Sequence, residues 1–137
     1  MPRANFGTAI SCIDGRVHLP VINWMQDLLS VDFVDLVTYP GADGLLAHDP
    51  LQAAAVLRPA VEISVQRHAS PVLAIVGHHD CAANPGTPES HREQLLRGLR
   101  VLQEWRLGVK LTALWVNAEW QVEVLRTRGA EVYWRSH

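Results

Sequence analysis

Short apolar runs recur along the chain, and a polar or glycine-containing segment follows each of them. Each run is rich in aliphatic residues and predicts a buried β-strand. The four predicted strands are 6–11, 33–38, 72–76 and 111–116. The third strand, "VLAIV", has no alternation of apolar and polar positions, which is typical of parallel strands covered on both faces. A hairpin partner is predicted at 121–125, and a last edge strand is predicted at 130–134.

Stretches with apolar residues at helical spacing lie between these strands. The predicted helices are 20–30, 51–68 and 88–105. The first helix is expected to begin at Pro20, because proline is favoured in the first turn. Pro59 is expected to kink the second helix or to split it in two. The segment 40–44, "PGADG", is predicted to be a loop.

The alternation of strands and helices predicts an α/β fold in three layers with a mostly parallel sheet. The length of 137 residues predicts a single domain over 1–137. A composition of 48% hydrophobic and 19% charged residues excludes a disordered chain. The formal net charge of -2 gives no broad basic field, so no nucleic-acid partner is expected.

The chain also has no apolar run near the roughly 20 residues that cross a bilayer. Its N-terminus has no signal-peptide pattern, so we expect no membrane association and a cytoplasmic location. In that compartment the two cysteines are expected to be reduced, metal-bound or catalytic rather than joined in a structural disulfide.

The candidate chemistry lies just past the first and third predicted strands, where Cys12, His78 and Cys81 are found. If these strands are neighbours, their carboxyl ends adjoin and the three side chains can surround one point. Two thiolates and an imidazole suit tetrahedral zinc, and three protein ligands leave a fourth position for water. Taken singly, each cysteine is more typical of an inert buried thiol. The combination with the histidine favours zinc ligation.

Asp14 and Arg16 follow the first candidate ligand by two and four residues. An aspartate beside a zinc-bound water can accept its hydrogen bond and orient the hydroxide. A neighbouring arginine would lower the pKa of that carboxyl and fix it in place. The same two residues could instead form a surface ion pair of little energetic consequence. Their position beside a candidate ligand favours the functional interpretation.

These two motifs, C-x-D-x-R at 12–16 and G-H-x-x-C at 77–81, resemble those of the β-class carbonic anhydrases. The segments 61–82 and 111–125 are similar to the family's helix–strand–ligand unit and to its late strand and hairpin. The resemblance implies a lyase that uses Zn2+ to hydrate carbon dioxide reversibly to bicarbonate through a zinc-bound hydroxide. It also implies a core strand order of 2-1-3-4 and a homodimer or higher homo-oligomer.

Residue by residue, the resemblance assigns Cys12, His78 and Cys81 as metal ligands and Asp14 and Arg16 as the catalytic dyad. In one resting form of the family the aspartate leaves the arginine and takes the fourth zinc position, and Asp14 is a candidate for the same exchange.

The sequence also departs from the family. We expect no counterpart of the family's N-terminal helical arm, Gly15 stands where serine is frequent, and Ala82 stands where glycine is usual. The family's arginine-bearing loop is replaced by "TYPGADG", Thr38 to Gly44. Two alternatives therefore stay open: a hydrolase of carbonyl sulfide or carbon disulfide on the same scaffold, and a non-catalytic zinc-binding or regulatory protein. A thiol-redox role is less favoured, because the cysteines form no C-x-x-C pair.

Other polar and aromatic residues receive structural interpretations. His79 is either a proton shuttle or, as we favour, a solvated neighbour of the ligand. Asp80 is either a partner of the ligand shell or, more typically, a loop cap. Gly41 and Gly44 fit either a close backbone approach to a ligand or simple turn geometry. The histidines expected at the surface are His18, His48, His68 and His91. The tryptophans expected to pack, some at a subunit interface, are Trp24, Trp105, Trp115 and Trp120.

Overall fold

A computed structural model describes residues 4–129 of the chain. This part contains five strands and four helices. The strands are β1 (Phe6–Ser11), β2 (Phe33–Thr38), β3 (Val72–His78), β4 (Lys110–Val116) and β5 (Val122–Arg128). The helices are α1 (Gly15–Leu29), α2 (Ala42–His48), α3 (Pro50–Arg67) and α4 (Pro88–Glu104).

The strands form one sheet in the order β2-β1-β3-β4-β5, which confirms the predicted core order 2-1-3-4. The first four strands are parallel, with Thr8 of β1 aligned to Leu73 of β3. β5 is antiparallel to β4, which confirms the hairpin partner predicted at 121–125. The strand predicted at 130–134 lies outside the described residues.

Apolar side chains pack on both faces of the sheet, which confirms the three-layer α/β fold. On one face Ile10 and Ile75 pack in a cluster with buried residues of α2, α3 and α4. On the other face Ala9 and Val76 pack with buried residues of α1. All seven residues of β3 are buried, as expected for a central parallel strand covered on both sides. The extent of the domain over 1–137 stays a prediction.

The first helix begins earlier than Pro20, where it was predicted to start. Asp14 is its N-cap, with a side chain that accepts a hydrogen bond from the backbone N of Arg16, and Gly15 opens the helix. Pro20 therefore lies in the second turn, where its missing N–H removes only the bond to the carbonyl of Arg16. The early start matters because it places Asp14 and Arg16 on the first turn of α1.

Two further expectations about the helices were wrong in part. The segment 40–44 is only partly a loop, because Gly41 takes a left-handed φ of 62° and α2 begins at the next residue. α2 packs Ala42 and Leu46 into the core, which explains a helix that periodicity did not reveal. Pro59 does not split α3, which runs without interruption from Pro50 to Arg67, and a kink at Pro59 stays a prediction. Within the described residues, no helix is long and apolar enough to cross a membrane.

Candidate metal centre

The structure brings the three candidate ligands together. Cys12 directly follows β1, His78 ends β3, and Cys81 lies three residues further along. Because β1 and β3 are parallel neighbours, their carboxyl ends adjoin. One donor atom from each side chain lies within 4.8 Å of the other two, and all three residues are buried. Together they form a compact sulfur and nitrogen donor set.

The two sulfur atoms are placed as a tetrahedral metal would need them. Sγ of Cys12 and Sγ of Cys81 are 3.9 Å apart, too far for a disulfide, and both thiols are free. Two sulfurs bound to one tetrahedral zinc at about 2.3 Å lie about 3.8 Å from each other. The observed separation therefore fits a shared zinc ion with little rearrangement.

The His78 imidazole presents an unpaired nitrogen at the same place. Its Nδ1 lies 2.8 Å from the carbonyl oxygen of His79, and because a carbonyl only accepts, Nδ1 must carry the proton. Nε2 is then a lone-pair donor, and it is buried with no hydrogen-bond partner among the described residues. A buried polar atom without a partner is costly unless a ligand satisfies it. The residues thus fit a zinc ion.

Burial sets the protonation of the Cys81 thiol in the metal-free protein. Desolvation, with a smaller contribution from the neighbouring Cys12, raises the pKa of Cys81 to about 11, although backbone N–H groups of Asn84 and Ala83 oppose the rise. The thiol is therefore protonated at neutral pH until a metal displaces its proton. The backbone N of Gly41 also points at Sγ of Cys12, 3.5 Å away.

Asp14 and Arg16 form a multiply bonded pair on the first turn of α1. Arg16 donates to Oδ1 of Asp14 through its backbone N at 3.0 Å and through Nε at 3.1 Å. Its Nη2 donates to Oδ2 at 2.7 Å. The side-chain hydrogen bonds from Arg16, opposed by partial burial, lower the pKa of Asp14 to about 2. The carboxylate is thus held ionised in one orientation.

Arg16 has further partners that the sequence did not indicate. Its Nη1 lies 3.4 Å from Oδ2 of Asp80, and its Nη2 lies 3.2 Å from the backbone oxygen of Asp80. The Arg16 guanidinium also stacks on the ring of Trp120, with Cζ 4.6 Å from the ring centroid. Asp80 has a left-handed φ of 59° and its carboxylate pairs with Arg16, while the loop cap favoured from the sequence has no hydrogen bond to this carboxylate among the described residues.

A second polar cluster lies behind the site, and sequence reasoning missed it. His91 was expected at the surface, but it is buried, and its Nδ1 lies 2.6 Å from Oδ2 of Asp43. Asp43 also accepts a hydrogen bond from Nδ2 of Asn84, in the loop after Cys81. The signal that could have revealed this cluster is helical spacing, since His91 lies one turn before Leu95 on the buried face of α4.

The glycines at 41 and 44 are explained by this packing. A Cβ on Gly44 would lie 2.8 Å from Cγ of Asn84, and one on Gly41 would lie 3.0 Å from Cβ of the same residue. Both glycines therefore allow the loop that carries Cys81 to approach α2 closely.

The remaining sequence expectations are mostly confirmed. The His79 side chain is exposed, while the backbone of this residue donates through its N to the carbonyl of Val116 at 2.8 Å and accepts at its oxygen from Nδ1 of His78. His48 and His68 are exposed, and His18 is half-buried. The four tryptophans that were expected to pack are buried or half-buried; they are Trp24, Trp105, Trp115 and Trp120. Their place at a subunit interface stays a prediction.

Comparison with known proteins gives one matching family and several solved structures of similar fold. A family model described as "Putative carbonic anhydrase" matches residues 2–126. No curated protein matches the sequence significantly.

Among solved structures, a β-carbonic anhydrase from Trichomonas vaginalis is similar, with 13% identity, a TM-score of 0.58, and coverage of 91% of this chain and 87% of that one. The tetrameric β-carbonic anhydrases from Sordaria macrospora give 13% identity, a TM-score of 0.53, and coverage of 92% and 83%. The carbonic anhydrase from Glaciozyma antarctica gives 12% identity, a TM-score of 0.55, and coverage of 91% and 85%.

Proposed function

This chain belongs to the carbonic anhydrase family whose model matches residues 2–126, and we propose that it is a zinc enzyme that reversibly hydrates carbon dioxide to bicarbonate. The observation that carries the proposal is the convergence of Cys12, His78 and Cys81 within 4.8 Å at the strand ends that also bear the Asp14–Arg16 pair. Neither the donor set nor the ion pair would support the proposal by itself, because buried thiols and exposed ion pairs are both common.

In this proposal, Sγ of Cys12, Nε2 of His78 and Sγ of Cys81 would hold the zinc ion. The two thiolates balance the charge of the divalent ion, and the hydrogen bond from Nδ1 of His78 to a backbone carbonyl fixes the ring orientation. Once bound, zinc would lower the pKa of a coordinated water to about 7 and supply a nucleophile near neutrality.

Asp14 acts in the reaction as an acceptor. Because its pKa is lowered to about 2, the carboxylate has no proton to donate at neutral pH and can only accept. It accepts a hydrogen bond from the attacking oxygen and aims the lone pair of that oxygen at the carbon of carbon dioxide. A carbon–oxygen bond forms, bicarbonate leaves, and the proton of the water passes to buffer.

Arg16 holds Asp14 in position for this step. Two side-chain hydrogen bonds and one backbone hydrogen bond fix both carboxylate oxygens, which leaves the aspartate little freedom to rotate. In the non-catalytic alternative, Asp14 would have to break its side-chain hydrogen bonds with Arg16 and close the metal coordination instead.

The deciding experiment measures zinc content and stopped-flow carbon dioxide hydration on the wild type and two variants. Asp14→Asn keeps an N-cap acceptor on α1 but loses the charge, and we expect hydration to fall about a hundredfold. Asp49→Asn is the matched control, since Asp49 is the N-cap of α3 in the same way, and its rate should be unchanged. The proposal is rejected if zinc-loaded wild type hydrates carbon dioxide no faster than Cys12→Ser. Sulfide release from carbonyl sulfide or carbon disulfide, without hydration, would favour the alternative hydrolase.

We also propose that the protein is a homodimer or higher homo-oligomer. Large apolar side chains are exposed on the described surface, among them Ile13 at 58%, Leu19 at 67% and Phe33 at 55%. The fungal proteins of the same fold from Sordaria macrospora are described as tetrameric. Light scattering on the zinc-loaded protein would test this, and a monomer at micromolar concentration would contradict it.

A further inference from the structure

The turn between β4 and β5 places an aromatic ring against the Arg16 guanidinium. Trp120 lies in this turn with a left-handed φ of 60°, and its backbone N donates to the carbonyl of Asn117 at 2.9 Å. The side-chain oxygen of Asn117 accepts from the backbone N of Glu119 and of Gln121, each at 3.0 Å. The turn is therefore closed by its own hydrogen bonds, which fix the backbone that carries the ring, and the ring packs against the apolar cluster that includes buried residues of α1.

Arg16 needs such a support, because its side chain is 48% exposed. An exposed ion pair in water is weak, and a long side chain loses rotamer freedom when it is held in one pose. The hydrogen bonds to Asp14 and Asp80 lie along the edge of the guanidinium, and the Trp120 ring covers one of its faces at 4.6 Å. A cation over an aromatic face is attracted by the ring and is partly shielded from water.

We propose that Trp120 is a positioning residue that holds Arg16 against Asp14 and so keeps the Asp14 carboxylate away from the fourth metal position. The proposal rests on the proposed function, because it concerns the same metal centre. Without the ring, Arg16 samples more rotamers and releases Asp14 more often. A released carboxylate two residues from Cys12 competes with water or substrate for the metal.

The test uses the full-length protein loaded with cobalt, whose visible spectrum reports binding of thiocyanate to the open metal position. Trp120→Leu keeps an apolar side chain but removes the aromatic face. We expect its thiocyanate affinity to fall about threefold to thirtyfold, the range that corresponds to a cation–π contact of this kind. Trp120→Phe retains an aromatic face and should recover much of the affinity.

Trp24→Leu is the matched control. Trp24 is also half-buried and packs against the same apolar cluster as Trp120, but it lies within α1. We expect this variant to lose stability to a similar extent while its thiocyanate affinity stays at the wild-type value. In an Asp14→Asn background, Trp120→Leu should have no further effect, because the competing carboxylate is gone.

Equal losses of thiocyanate affinity in Trp120→Leu and Trp24→Leu would overturn the proposal, as would an undiminished effect of Trp120→Leu in the Asp14→Asn background. The anion measurement needs no turnover, so it is separate from the proposed reaction. A wild type that binds thiocyanate with the expected pattern but hydrates no carbon dioxide would support the role of Trp120 and contradict the proposed function.

Discussion

Oδ2 of Asp43 lies 2.6 Å from Nδ1 of His91, and the two side chains are only 3% and 2% exposed. The same carboxylate accepts hydrogen bonds from the backbone N of Gly44 and from Nδ2 of Asn84. This cluster joins α2 and α4 to the loop that follows Cys81. It therefore ties the geometry of one candidate ligand to two helices of the core.

Replacement of His91 by alanine should be destabilising. It leaves Oδ2 of the buried Asp43 carboxyl without its His91 partner, and an unsatisfied buried polar atom costs about 1–3 kcal/mol. The control is His68→Ala, because His68 lies at the same 2.6 Å from Asp35 but is 43% exposed, and its loss should cost below about 1 kcal/mol. Urea denaturation of both variants measures the two costs, and similar values would contradict the assigned role of burial.

Substitution of Gly77 by alanine should disturb the metal centre by a steric route. A Cβ at this position would lie 2.7 Å from Oδ2 of Asp43 and 3.1 Å from Cδ1 of Leu95, so β3 or α2 must shift beside His78. We expect a loss of about 1–3 kcal/mol of stability together with weaker zinc retention after dialysis. Gly15→Ala is the control, since a Cβ there meets nothing within 4 Å, and both quantities should stay near the wild-type values.

The sequence predicted the strands of the fold well, because a short apolar run marks each of them. β1 and β2 have the predicted bounds, because each is a short run of mostly apolar and β-branched residues between polar segments. Pro20 misled the prediction for α1, since proline usually marks a first turn, whereas here Asp14 caps a helix that begins at Gly15, more than one turn earlier. α2 has seven residues and two candidate turn glycines nearby, so its helical character depends on tertiary packing.

The candidate site was predictable to a smaller extent. The motifs indicated which side chains gather at the strand ends, and the structure places Cys12, His78 and Cys81 together. The stacking of Trp120 on Arg16 could not be predicted, because it joins segments far apart in the chain through the β4–β5 turn. The buried position of His91 was within reach of helical periodicity, but histidine is more commonly found at least partly exposed.

Zinc affinity should rise with pH between 6 and 8. The Cys81 thiol has a pKa raised to about 11, so it is protonated over this whole range in the metal-free protein, and zinc must displace its proton. Each proton displaced makes the apparent dissociation constant about tenfold smaller for every pH unit. Competition with a zinc chelator at several pH values measures the slope. A dissociation constant that does not change with pH would contradict thiolate ligation, and Cys81→Ser should remove about one unit of the slope.

Substitution of Arg16 by glutamine should lower the rate of carbon dioxide hydration while it changes the free energy of unfolding little. The Arg16 side chain is 48% exposed, and the N-cap hydrogen bond to Asp14 uses its backbone N, which the substitution keeps. The loss of stability should therefore stay within about 1 kcal/mol. The carboxylate nevertheless loses both side-chain hydrogen bonds that orient it, so we expect kcat/KM for carbon dioxide hydration to fall about tenfold to a hundredfold. Arg58→Gln is the matched control, because Arg58 pairs with Glu62 at 3.3 Å and lies over the Trp105 ring at 5.7 Å, in an arrangement of the same kind on α3. A comparable loss of kcat/KM in both variants would show that the Arg16 contacts act through general stability and not through Asp14.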